Sequence, residues 1–338
     1  MNQEQKSISV VVNGFGGYDV LSVEDFELLS LADNIQVKVE YGALNFADLY
    51  TRKGFMPNKK APFILGIECT GVVTKIGNIK NSKFKVGQRV ICYDFNGGLY
   101  REILHINPMS CFLLPDSIDT KLGATIFVNY LTAYLSLINI GNLRENESVL
   151  ILSCTGGVGS AAVQISKTIN GVKVFGTGSK IKETFAKENG VDTFYCIETF
   201  SDEVQDQKFD LIISNESGAM FTFLQSLLKP LGRIILLGAN NMLQPAQNTD
   251  SLKTDCDSVS LMSLLINNRI VAGLHLGILL ATDPEKVHTI LEHIFKLIEQ
   301  KKLNPVIHSV WKVSEIVEAT KLLEDRKNVG KVLIKISK

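Results

Sequence analysis

Apolar and polar positions change period several times along the 338-residue chain. From Ser7 to Val12 and from Asn34 to Glu40, apolar residues alternate or cluster between Gly and Asp/Asn punctuation, which predicts short strands. Gly66, Gly71, Gly77 and Gly87 then recur among Val-rich segments such as Gly71–Val73 and Arg89–Ile91, the pattern of a small β-rich domain with many turns. Pro115 and Asp116 break it, and Lys121 to Ile140 reads as helix. Val149–Leu152 is an unbroken apolar run, as in a strand buried on both faces of a parallel sheet. Gly156, Gly157 and Gly159 follow, after which Val158, Ala161, Ala162, Ile165 and Ile169 place one apolar stripe on a helix, small residues nearest the sheet. Val172–Phe175 is a second apolar strand, so the unit is a βαβ crossover. Further on, Phe209–Ile213 reads as strand, Ala219–Leu228 as helix, and Arg233–Leu237 as strand ending at Gly238. The apolar stretch Ile270–Ala281 reads as buried strand or interface, Asp283–Lys302 as a helix opened by Pro284, and Val310–Val313 and Val332–Ile336 as strands around a short helix. The expected fold class is α/β, a β-rich domain followed near residue 125 by a doubly wound parallel sheet.

The glycine turn suits phosphate, because glycine backbone approaches a pyrophosphate closely and first-turn N–H groups aim partial positive charge at it. The spacing is Ser153-x-x-Gly156-x-x-Gly159, and its place between two buried strands gives it meaning. NAD sites usually carry Asp or Glu at the end of the second strand to hold the ribose hydroxyls; here that segment reads Gly176-Thr177-Gly178-Ser179-Lys180-Ile181-Lys182, without an acid. Hydroxyls and lysines suit a 2′-phosphate, so NADP(H) is favoured over NAD(H), although lysines opening a helix also fit a solvated surface.

Composition changes this picture little. A 45% hydrophobic chain of this length can bury two cores. The balance of 35 basic against 35 acidic residues, with no basic cluster interleaved with aromatics, argues against a nucleic-acid partner. The opening residues MNQEQK lack a signal-peptide apolar core, so a cytoplasmic location is expected, and six cysteines without C-x-x-C pairing suit reduced thiols. The longest relevant apolar stretch, Ile270–Ala281, is too short to span a bilayer.

Several segments together resemble a known family: Gly42–Leu49 (GALNFADL), Val128–Tyr134 (VNYLTAY), Gly156–Gly159 (GGVG), Val174–Thr177 (VFGT), Gly273–Gly277 (GLHLG) and Lys327–Leu333 (KNVGKVL). The sequence is similar to zinc-independent medium-chain dehydrogenases/reductases of the zeta-crystallin-like quinone oxidoreductase branch, and within it most resembles the synaptic vesicle membrane protein homologues. The resemblance implies a GroES-like catalytic domain (1–125 with 278–338), a Rossmann NADP(H)-binding domain (126–277), a homodimer pairing along Ile270–Leu276, and nicotinamide and substrate held in the cleft between the domains. It implies catalytic roles for Asn45, Tyr130 and Thr132. It implies cofactor contacts by Asn129, Thr132, Gly156, Gly157, Val158, Gly159, Thr177, Ser179, Lys182, Gly238, Asn240, His275 and Lys331. The same residues also have plainer readings: Asn45 as the cap of a helix starting near Phe46, Tyr130 and His275 as core residues, Lys331 as a surface charge.

Zinc-dependent relatives use an early Cys and a G-H-E segment, whereas this chain has Tyr41 and Gly66-Ile67-Glu68, and only Cys92 and Cys111 lie where a four-cysteine lobe would be. No zinc is expected, and Glu68 and Cys69 read as core or supporting residues. Many quinone reductases of the branch carry a tyrosine after R-x-G-hydrophobic, but this chain reads Arg52-Lys53-Gly54-Phe55-Met56, and a thioether cannot donate a proton. Ser214 stands for the family's aspartate after the fourth strand, and Ile197 for a tyrosine, with Tyr195 nearby. The leading expectation is NADPH-dependent reduction of a small-molecule quinone or conjugated enone. Met56 favours the alternative, a weakly catalytic NADPH-binding protein with a lipid-transfer or trafficking role, peripheral on vesicle or mitochondrial outer membranes by resemblance alone. A purely structural dimer is the third reading, against which the intact glycine turn and Ser179 argue.

Overall fold

The computed structural model describes residues 6–28, 30–56, 59–238 and 259–336. They divide into two compact units, 1–127 with 305–338 and 128–304.

In the first unit, β1 (Lys6–Val12) pairs antiparallel with β2 (Leu21–Glu27) and with the short β4 (Phe63–Ile64). A seven-stranded sheet contains β3 (Ile35–Ala43), β5 (Glu68–Ile76), β6 (Arg89–Tyr93), β7 (Ile103–Ile106), β8 (Cys111–Leu113), β15 (Ile307–Lys312) and β16 (Lys331–Lys335). Its order is β15-β16-β3-β5-β6-β8, with β7 also pairing with β3. The strands form where β-branched residues meet buried positions: Val10, Val11, Val12, Ile35, Val37, Val39, Val73 and Val90 are completely buried. Three helices complete the unit, α1 (Phe46–Lys53), α2 (Thr120–Gly123) and α11 (Ile316–Glu324).

In the second unit all pairings are parallel, and the order is β11-β10-β9-β12-β13-β14, where β9 is Ser148–Ile151, β10 Lys173–Gly178, β11 Thr193–Cys196, β12 Phe209–Ser214, β13 Leu228–Leu236 and β14 Ile270–Gly273. Counted within the unit this is strand order 3-2-1-4-5-6, the dinucleotide-binding arrangement whose switch point lies between β9 and β12. Every residue of β9 is buried, as its unbroken apolar run requires. The helices of this unit are α3 (Phe127–Tyr134, whose first residue closes the other unit), α4 (Gly157–Lys167), α5 (Glu183–Glu188), α6 (Phe200–Val204), α7 (Gly218–Ser226), α8 (Leu261–Asn267), α9 (Leu276–Thr282) and α10 (Pro284–Glu299).

Three expectations change. The helix expected over 121–140 is broken: α2 and α3 are separate, and the chain then widens into a π-type turn over Leu135–Ile140. The stretch 270–281 is not one buried strand: it leaves β-structure at Gly273 and re-enters as α9, and Ile270 and Ile278 are exposed. The return to the β-rich unit comes at 304/305, not at 277/278, because α10 belongs with the parallel sheet. Asp283 caps that helix at the Lys286 N–H, Pro284 opens it, and Val287, Ile290, Leu291 and Ile294 bury one face. On the same helix His293 meets Tyr134 edge-on at 5.6 Å.

Candidate functional site

The glycine turn sits at the switch point. Ser153, at φ +53°, turns the chain out of β9; its N–H donates to Thr177 Oγ1 at 3.1 Å, and the Cys154 N–H donates to the Thr177 carbonyl at 3.0 Å. Thr177 is completely buried, so its hydroxyl braces the turn and is not held out for a ligand, which corrects its expected cofactor contact. The glycines divide by what a side chain would meet. A Cβ on Gly159 would lie 2.2 Å from the Ser153 carbonyl oxygen and 2.8 Å from Cys154 Cα, and one on Gly157 2.5 Å from Asn129 Nδ2. A Cβ on Gly156 would find only the Ser153 carbonyl oxygen, at 3.4 Å. Gly159 is therefore required by the protein's own packing and a Cβ on Gly157 would displace the Asn129 side chain, whereas the space over Gly156, the N-cap of α4, is open. Ser160 N–H bonds to the Gly156 carbonyl, and the preceding first-turn N–H groups of Gly157, Val158 and Gly159 have no partner within a helix.

At the end of β10, Ser179 precedes a short helical turn. Its two lysines diverge: Lys180 pairs outward with Glu183 at 2.5 Å, whereas Lys182 turns inward beside Cys154, and burial pulls its pKa below the ordinary lysine value. An ammonium thus lies by the turn that opens α4. Asn129 is buried against Gly157, and Thr132 is half-buried on the same helix. Tyr130 is buried, and its hydroxyl donates to Gln164 Oε1 on α4 at 2.9 Å. Burial holds the phenol protonated, and its one proton goes to Gln164, so Tyr130 anchors α3 to α4 and does not fit its expected catalytic role. Gly238 follows β13, and Asn240 lies outside the described residues. His275 is exposed, and its Nδ1 accepts the Ile278 N–H as the cap of α9.

In the β-rich unit, Asn45 caps α1 and its amide is fully engaged. Nδ2 donates to the Ala43 carbonyl and to Glu68 Oε1, both at 2.9 Å, and Oδ1 accepts from Lys331 Nζ at 2.7 Å. Lys331 also bonds to Glu68 Oε1, and this pair is only 3% and 2% exposed. Lys331 is accordingly neither a surface charge nor available to a cofactor phosphate, which corrects its expected role. Arg52 fixes the other end of α1, meeting Glu324 of α11 at 2.8 Å and lying 4.4 Å from the centre of the Tyr18 ring. Met56, just beyond, is partly buried.

The Alcohol dehydrogenase GroES-like domain family matches residues 32–116, and the Zinc-binding dehydrogenase family matches residues 189–334. Synaptic vesicle membrane protein VAT-1 of Tetronarce californica is 32% identical over 335 residues, covering 96% of this chain and 86% of that protein. The chain belongs to the medium-chain dehydrogenase/reductase family. The human VAT-1 homolog is 33% identical, with 96% and 85% coverage. The crystal structure of the human VAT-1 homolog-like protein superposes with a TM-score of 0.84 at 29% identity, covering 98% of this chain and 99% of that one.

The name of the second family raises zinc, and the side chains here do not fit it. Ile67 offers no donor atom, Glu68 already carries the Lys331 ammonium, and Cys69 faces Cys92 across the β5–β6 pairing. Among the described residues no group of three or more His, Cys, Asp or Glu is placed to hold a metal ion. Two features of this medium-chain dehydrogenase/reductase were not foreseen. Cys69, Cys92 and Cys111, far apart in sequence, are buried register partners on β5, β6 and β8, with Cys92 and Cys111 sulfurs 3.6 Å apart. Asp48 and Tyr100 are buried beside Asn45, and only the three-residue step from Asn45 to Asp48, a helix-capping spacing, hinted at the first.

Proposed function

We propose that the protein is an NADPH-dependent, zinc-independent reductase of quinones or conjugated enones. The observation that carries this reading is the open face over Gly156 at the N-terminus of α4, with Lys182 turned in beside it and no acid over 176–182. In this reading the first-turn N–H groups of Gly157, Val158 and Gly159 hold the pyrophosphate, and Ser179 and Lys182 hold the 2′-phosphate. Bound NADPH would supply the hydride. With the amide of Asn45 and the phenol of Tyr130 engaged elsewhere, Thr132 is the residue of the expected catalytic set left to meet charge growing on the acceptor oxygen, with Asn129 beside the turn. The test is NADPH oxidation by the purified protein with 9,10-phenanthrenequinone, alongside NADPH and NADH titrations. Turnover supports the reading, and tight NADPH binding without turnover overturns it. A Lys182→Ala variant should weaken NADPH about tenfold and leave NADH nearly unchanged, since a charge-assisted contact contributes roughly 1.5–3 kcal/mol. Equal losses for both nucleotides would remove the 2′-phosphate role.

Oligomerisation belongs to the same proposal. Among the described residues β14 is an edge strand, and Leu261, Met262, Leu265 and Ile266 of α8 are all at least 60% exposed. A second copy pairing along β14 would cover an edge and apolar surface that otherwise invite aggregation. This apolar face also keeps the peripheral membrane reading open, given the relatives' printed name; among the described residues no helix is long and apolar enough to cross a membrane. Sedimentation as a dimer, without flotation on phosphatidylserine vesicles, assigns the face to the dimer; flotation of a monomer assigns it to lipid.

A further inference from the structure

Three oxygens in the β-rich unit lack enough protons if every acid there is ionised. The Tyr100 hydroxyl oxygen lies 2.6 Å from the Ala43 carbonyl oxygen and 2.8 Å from Asp48 Oδ2. A phenol has one proton and can donate to only one of them. Ala43 can only accept, so if Tyr100 donates to it, the contact to Asp48 requires a proton on the carboxyl. The reverse choice would leave two lone-pair-bearing oxygens facing each other at 2.6 Å.

Burial points the same way. Asp48 is 1% exposed, and among the described residues nothing hydrogen-bonds to its Oδ1. An orphaned oxygen is tolerable on a neutral acid and costly on a buried carboxylate. The contact is built into the fold: the Tyr100 ring lies where a Cβ on Gly42 or Gly66 would stand, at 2.6 and 2.2 Å, so two glycines clear the slot through which the phenol reaches Asp48.

We propose that Asp48 is a positioning residue that works as an un-ionised carboxylic acid. Its Oδ2 proton goes to Tyr100, the Tyr100 proton goes to the Ala43 carbonyl, and the same Oδ2 accepts the Asn45 N–H at 2.9 Å. This two-proton chain ties the end of β3 to the start of α1 and holds Asn45, and through it Lys331 and Glu68, in register. The charged and titratable groups facing Asp48 are Tyr100, Lys331 on β16 and Glu68 on β5. Desolvation dominates and pushes its pKa up to about 7, against the lowering by the Asn45 N–H and Lys331. The sign follows: the folded state holds a proton that the unfolded chain releases near its ordinary carboxyl pKa. The stability from Asp48 is therefore full below that value and is lost as the pH rises through about 7. The structural part stands alone; the part that concerns catalysis rests on the reductase reading.

The test compares wild type with Asp48→Asn and Asp48→Ala between about pH 5 and pH 8.5 by infrared spectroscopy, thermal unfolding and NADPH oxidation with 9,10-phenanthrenequinone. Wild type should show a protonated-carboxyl band at the acid end that fades with a midpoint near 7 and is missing from both variants. Its melting temperature should decline as the pH rises toward about 7 and level off above it, whereas the Asp48→Asn protein, with a neutral side chain of the same shape, should lack this step. Turnover in Asp48→Asn should lose the alkaline decline of the wild type, because that decline follows the loss of the Asp48 proton. Absence of the acid band, or an unaltered pH step in Asp48→Asn, overturns the proposal. A protein without turnover that still shows the band and the step keeps the acid and loses only the reductase reading. Turnover without band or step does the opposite.

Discussion

A Gly159→Val variant is expected to lose NADPH binding by at least ~100-fold and to melt well below the wild type, because the new Cβ has nowhere to go. It would lie 2.2 Å from the Ser153 carbonyl oxygen and 2.8 Å from Cys154 Cα. Both are backbone atoms, and neither can move freely. Ser153 is in the left-handed region with its N–H on Thr177 Oγ1, and Cys154 N–H is bonded to the Thr177 carbonyl. Relief requires pulling α4 away from β9, at a cost of about 3 kcal/mol or more. Isothermal titration with NADPH and a thermal melt measure both effects. The matched control is Gly156→Ala, whose Cβ meets only the Ser153 carbonyl oxygen at 3.4 Å. That protein should melt with the wild type, so any loss of affinity belongs to the nucleotide approaching the turn. Undiminished NADPH binding by Gly156→Ala would remove the turn as the phosphate cradle.

The second large effect is expected at the buried ion pair. Lys331→Met leaves the Glu68 carboxylate with the Asn45 amide as its remaining partner among the bonds described above, and breaking a buried pair from one side costs about 3–5 kcal/mol. For a unit of this size that is a fall in melting temperature on the order of 10 °C. The double variant Lys331→Met with Glu68→Gln removes both charges and should recover most of the loss. A double variant as unstable as the single one would mean that Lys331 acts through packing of its methylenes, not through its charge.

The parallel sheet was legible because its signals are local. Val149–Leu152 reads as a doubly buried strand, the glycines that follow read as a tight entry to a helix because of that strand, and β10 follows α4 after a short connection. Helix α10 was legible for the same reason, with a cap, a proline and a regular apolar stripe in one short stretch. The unit to which α10 belongs was not legible, since that depends on its contacts with other elements. Tyr130 illustrates the limit at the site: its motif marks a conspicuous phenol, but only the fold reveals Gln164 a hydrogen bond away. Lys331 and Glu68 are separated by most of the chain, so no spacing rule joins them. The same holds for Cys69, Cys92 and Cys111, which lack a C-x-x-C pattern and meet only through the register of β5, β6 and β8. Asp48 and Tyr100 were missed because a proton count needs distances.

The placement of β16 has a consequence for how the protein is made. In the finished sheet β16 lies between β15 and β3, and it carries the ammonium that neutralises Glu68. As the chain emerges from the ribosome, β3 and β5 come out early, whereas β16 follows only after the whole parallel-sheet unit, which is one continuous segment and can fold as a unit meanwhile. Until then the Tyr41–Ala43 end of β3 lacks the strand it pairs with, and Glu68 lacks the Lys331 ammonium. Nascent chains arrested before Lys331 should therefore hold a protected parallel sheet beside a β-rich unit that proteases cut readily.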